Sequence, residues 1–111
     1  MKLPCEIIVW YVLPSIRKEI TKALVSDSQL SQKEVAKLLG VTESAISQYL
    51  SSKRGDEVKF SPEVLEEIKK IAIQIKDSDS ESIAIEKICS LCNIIKNKGF
   101  LYVFMLIVLF A

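Results

Sequence analysis

Between Ser31 and Ser51 the chain has very few conformations open to it. Ser31 followed three residues later by Glu34 is the spacing of a capping box, in which the serine oxygen and the glutamate carboxylate each accept an amide that the first helical turn leaves orphaned. A helix therefore starts there, with Val35, Ala36, Leu38 and Leu39 as its apolar positions. Gly40 ends it, because glycine enters the left-handed region at little steric cost and so permits a sharp reversal. Thr42 then caps a second helix. Two short helices joined by a tight glycine turn are what this stretch predicts.

The two sides of the second helix have different jobs. Ala36 is small where the helices cross, and Val41, Ile46, Tyr49 and Leu50 fill the angle between them, so a polar residue at Ile46 should open the unit. The opposite side carries Ser44, Ser47, Gln48 and Ser51, spaced i, i+3, i+4 and i+7. All four are uncharged in a chain rich in Lys and Glu, where a merely solvated face would carry charge. Such a face suits approach to base edges: glutamine can pair bidentately with adenine, and serines donate to or accept from several bases. Lys53 and Arg54 follow directly, while Gln32 and Thr42 begin the two helices and Glu43 lies in the first turn of the second. Cations and helix-start amides at those places would grip phosphates, which positions a protein on a duplex without reading it. The bland alternative is an αα-hairpin whose serines face water.

The rest of the chain is also helical in pattern. Leu3 to Leu13 is apolar and should be interrupted by Pro14, which suits the first turn of a further helix to about Val25. In that helix Ile16, Ile20, Ala23 and Leu24 form the buried stripe, with Arg17, Lys18, Glu19 and Lys22 largely elsewhere. Ser26-Asp27-Ser28 makes a polar break. Ser61-Pro62 starts a helix that runs through Val64, Leu65, Ile68, Ile71, Ala72 and Ile75 to about Lys76. Asp77-Ser78-Asp79-Ser80 reads as a linker, and a last helix from Glu81 to Lys98 carries Ile85, Ile88, Cys89, Cys92 and Ile95 before Gly99.

Composition narrows the chemistry. Fifteen basic against fourteen acidic residues leave a charge of +1, so any polyanion-binding surface must be local. There is no histidine, which removes Ser-His-Asp and Cys-His nucleophiles and every histidine metal ligand. No nucleophile-base pair or glycine-rich phosphate loop is visible either, so an enzyme is not expected, nor is a small-molecule substrate. Three cysteines do not make a disulfide framework and fit a reducing cytoplasm.

The stretch from Ser31 to Gly55 resembles the phage-repressor-like (Cro/C1, XRE) helix-turn-helix group. A wider resemblance takes in Leu3-Pro4-Cys5-Glu6, Pro14-Ser15-Ile16-Arg17, Ser47-Gln48-Tyr49, Lys53-Arg54-Gly55 and Ile88-Cys89-Ser90-Leu91-Cys92. Together these look like a family of predicted archaeal transcriptional regulators, similar also to the DNA-binding portion of archaeal thiamine-responsive repressors. The resemblance implies operator binding, as a homodimer on double-stranded DNA; a fused ligand-binding domain is not expected in these residues.

Cys89 and Cys92 have metal-ligand spacing, and two thiolates one turn apart can share zinc or an iron-sulfur cluster, with Cys5 the one further cysteine. Members of the family tend to carry another cysteine near where this chain has Phe100-Leu101-Tyr102. The set is thus incomplete as written, and burial as small hydrophobes or a thiol-disulfide switch are the other two readings. Phe100 to Ala111 is uncharged, but as a helix it reaches only about 18 Å against a hydrocarbon core of about 30 Å. A membrane span is not expected. Burial in a dimer interface, a membrane-surface anchor helped by Lys96 and Lys98, and a terminus without a role remain open for it.

The sequence therefore predicts an all-α helix-turn-helix DNA-binding bundle with additional C-terminal helices. Residues 1–60 form the DNA-binding part, and residues 61–111 supply dimerisation, the cysteines and the hydrophobic tail. Two other classes compete with a sequence-specific regulator: a cysteine-based metal or redox sensor with DNA binding as its output, and a helical protein-interaction module.

Overall fold

The computed structural model describes residues 6, 8–56, 58–78 and 80–97. Its described residues form five α-helices and two π-helical segments in an all-α bundle. The first rod is wound in three registers: a π segment Ile8–Val12, helix α1 over Leu13–Lys22, and a second π segment Ala23–Asp27. Helix α2 spans Gln32–Leu39, α3 Glu43–Leu50, α4 Pro62–Ser78 and α5 Glu81–Asn97.

Pro14 does not interrupt the rod, contrary to the sequence expectation. It occupies the first turn of α1, where the amide it lacks is not needed, and Val12 before it keeps helical angles (φ −74°, ψ −49°). Ser15 Oγ donates to Tyr11 O at 2.9 Å, giving that carbonyl a partner close to the proline. The polar break also shifts. Ser26 and Asp27 stay helical in the wider π winding, and the chain reverses only at Gln29, whose φ is +58°, with Leu30 N–H donating to Leu24 O at 3.0 Å.

Helix α4 begins where Ser61-Pro62 predicts, with Val64 N–H donating to Ser61 Oγ at 3.3 Å. It continues two residues beyond Lys76, so Asp77 and Ser78 belong to the helix rather than to a linker. Ser80 already accepts the Ala84 amide of α5 at 3.3 Å. The buried stripe of α5 is Ala84, Ile88, Leu91 and Ile95; Ile88 and Ile95 are buried as the sequence predicts and Cys92 is half-buried, but Ile85 and Cys89 are exposed and Ala84 and Leu91 take the inward places. Both patterns fit a helical period, and only the position of α4 and α2 selects between them. Asp79, Lys98 and Gly99 lie outside the described residues, as does the stretch Phe100 to Ala111.

Helix α1 packs against α3 and α4, α4 against α5, and α2 against α3 and α5. One hydrophobic cluster joins them, from Val12 and Ile16 through Val35 and Ile46 to Ile68, Ile75 and Leu91. Among the described residues no helix is long and apolar enough to cross a membrane.

Candidate nucleic-acid interface

Both caps of the central unit form as their residues predict. Glu34 N–H donates to Ser31 Oγ at 3.1 Å and Ser31 N–H to Glu34 Oε1 at 3.4 Å, closing the capping box. Gly40 takes φ +66°, and Val41 N–H returns to Ala36 O at 3.0 Å. Thr42 Oγ1 accepts the Ala45 amide at 3.1 Å and starts α3. Ile46 and Tyr49, 0% and 2% exposed, fill the angle between α2 and α3, with Val41 and Leu50 half-buried beside them.

That packing decides which way α3 faces. Because Ala45, Ile46 and Tyr49 point into the core, Ser44, Ser47 and Ser51 are exposed and Gln48 is half-buried at the edge of the same face. Gln32, Thr42, Glu43, Lys53 and Arg54 are exposed as well. Ser51 is the C-cap of α3, and its hydroxyl donates to Gln48 O at 3.3 Å. The guanidinium of Arg54 lies over the Tyr49 ring, 6.0 Å from its centroid, so this cation has a resting place against the helix it follows.

Helix α3 ends without a glycine. Ser52 itself adopts φ +62°, its amide donates to Tyr49 O at 3.3 Å, and Lys53 N–H reaches Gln48 O at 2.9 Å, which satisfies the last carbonyls of the helix. Gly55 follows with φ +81°. A β-carbon there would sit 2.5 Å from Pro14 O and 2.8 Å from Lys18 Cβ, so the loop backbone lies hard against α1.

The sequence gives no warning of the residue that holds this loop. Lys18 was expected on the polar side of α1, yet it is only 7% exposed. Its ammonium pairs with the Asp56 carboxylate and donates to Ser52 Oγ at 3.2 Å. Lys59 Nζ stands 3.6 Å from the same carboxylate. The hydrogen bond from Lys18, and then the charges of Lys18 and Lys59, hold the Asp56 carboxyl below its ordinary value. Ser15 Oγ adds a further tie by accepting the Val58 amide at 3.2 Å. A buried lysine needs a partner, and here the partner is distant in sequence, so no local pattern could have pointed to it.

The cysteines do not assemble a metal site among the described residues. Cys89 is exposed and Cys92 half-buried, and no group of three or more Cys, Asp or Glu side chains comes together among those residues. Burial, then the neighbouring Cys89, pushes the Cys92 thiol up to about 11, which keeps it protonated at neutral pH. Cys5 lies outside the described residues. Burial as a small hydrophobe fits Cys92 in part and does not fit Cys89.

Comparison with known proteins agrees with this geometry. No curated protein and no solved structure matches the chain. Residues 27–72, which take in α2, α3 and most of α4, match a helix-turn-helix family model, so this region is similar to a phage-repressor-type helix-turn-helix, and that likeness supports a DNA-binding regulator in general.

Proposed function

We propose that this protein is a sequence-specific, DNA-binding transcriptional regulator that places α3 in the major groove and acts as a homodimer on a two-fold operator. One observation carries the reading: beyond the exposed Glu43 of its first turn, the outward face of α3 is uncharged and hydrogen-bonding at Ser44, Ser47 and Gln48, and it is followed at once by the exposed cations Lys53 and Arg54. In this reading Ser44, Ser47, Gln48 and Ser51 meet base edges, while Gln32, Thr42, Lys53 and Arg54 meet phosphates and Glu43 lies at the edge of the contact. The division of labour follows the chain: residues 1–60 carry the reading surface and residues 61–111 the contact with the second copy.

Selection of bound sequences from a randomised duplex pool, followed by anisotropy titration, tests this. Gln48→Ala should relax the preference at one base position by about 1–3 kcal/mol of discrimination. Arg54→Ala should weaken all sequences alike and reduce the slope of log K against log salt by about 0.9. A wild-type chain that enriches no sequence, or whose binding neither substitution alters, overturns the assignment.

A further inference from the structure

We infer that Lys18, on α1 directly beneath the loop, is the positioning residue for the phosphate-binding cations, an inference that rests on the DNA-binding reading above. Lys53 and Arg54 are themselves exposed; among the described residues Lys53 is tied only through its amide to Gln48 O, and the Arg54 guanidinium rests over the Tyr49 ring. What places them is the segment they sit in, and that segment is clamped at both ends by one ammonium: Ser52 immediately before them and Asp56 two residues after Arg54 both bind Lys18 Nζ.

The clamp is built rather than incidental. Ser52 takes a left-handed conformation that costs a non-glycine residue roughly 1 kcal/mol, and the hydrogen bond from Lys18 is made to that residue's own side chain. Gly55 allows the loop to return onto α1 with no room for a β-carbon. Ser15, one turn from Lys18 on the same helix, takes the amide of Val58 and ties down the continuation. Ser52, Gly55, Asp56 and Val58 are thus each held on α1, with Lys53 and Arg54 exposed between the first two.

The chemistry of Asp56 separates positioning from simple charge. A carboxylate beside a DNA-binding surface repels phosphate, and removing it should tighten binding if net charge were all that mattered. If its role is to complete the clamp, removing it loosens the two cations and weakens binding despite the gain in positive charge. The two accounts predict opposite signs for the same substitution.

The experiment is anisotropy titration of the full chain against a mixed-sequence duplex over a range of salt, for wild type, Asp56→Asn and Lys18→Met. Asp56 is half-exposed, so its asparagine variant should fold even if Lys18→Met does not, and thermal melting checks both. We expect Asp56→Asn to weaken binding about fivefold and to lower the salt slope by about one, as when one phosphate contact is lost. Lys18→Met, if folded, should do the same or more. Binding that is unchanged or tighter for Asp56→Asn overturns the positioning role while leaving the DNA-binding reading intact. A wild-type chain that binds no duplex at any salt removes both, and so distinguishes the two failures.

Discussion

The side chain of Glu81, the first residue of α5, occupies the space that a β-carbon on Gly40 would need, with its Cγ 3.2 Å from that position. The turn between α2 and α3 thus lies beside the start of the last helix, with Gly40 and Glu81 both exposed. Gly40→Ala should cost about 1–2 kcal/mol for the left-handed conformation alone, with a small further loss from moving the flexible, exposed Glu81 side chain aside. In thermal melts this is a fall of roughly 5 °C or more. Glu81→Ala introduced alongside should recover the second part and not the first, because the carboxylate can be removed but φ +66° cannot. Full recovery would show that the backbone conformation carries no cost.

Ile46 is fully buried at the corner between the two helices. Ile46→Val should cost about 1 kcal/mol, the effect of one methyl in a packed site. Ile46→Asn adds an amide with no partner in reach and should cost about 3–5 kcal/mol, enough to unfold much of a small domain. Chemical denaturation followed by circular dichroism reads both, and equal stability of wild type and Ile46→Asn would contradict the packing.

Asp56 makes stability depend on acid. Its carboxyl is held below the ordinary value of 3.8, first by the hydrogen bond from Lys18 and then by the charges of Lys18 and Lys59. A lowered folded-state pKa stabilises fully above the unfolded value and is lost as pH falls through the folded one. The difference in melting temperature between wild type and Asp56→Asn should hold steady from about pH 5 to pH 7 and shrink below about pH 4. A difference that grows on acidification would show the ion pair to be absent.

The two helical cysteines should react in a fixed order. Cys89 is exposed, whereas burial raises the Cys92 thiol to about 11 and leaves a thiolate fraction of only ~10⁻⁴ at pH 7. Brief treatment of the native chain with iodoacetamide, followed by peptide mass mapping, should find Cys89 modified well before Cys92, and the two alike in denaturant. Faster reaction at Cys92 would mean its thiol is neither buried nor raised.

Local signals in the sequence were sufficient wherever one residue acts on its neighbours. Ser31 with Glu34, Gly40, Thr42 and Ser61 with Pro62 each set a helix boundary through contacts within four residues, and those boundaries stand. The outward turn of Ser44 and Ser47 followed as well, because Ile46 and Tyr49 leave them no inward path. Contacts made across the fold were not legible. Lys18 reads as surface until Asp56 is brought to it, and the stripe of α5 depends on which side α4 and α2 approach, so the pattern points Ile85 and Cys89 inward where Ala84 and Leu91 are buried. The π winding at both ends of α1 carries no pattern that distinguishes it from α-helix in advance.

The hydrophobic cluster has no seam at residue 60. Ile16 and Leu24 on the first rod share it with Ile68 and Ile75 on α4, and Val35 shares it with Leu91. A fragment ending at Phe60 would lose Ile68, Ile75 and Leu91 from that cluster and uncover the side chains packed on them, so whatever engages the last two helices acts on the same cooperative solid that carries α3.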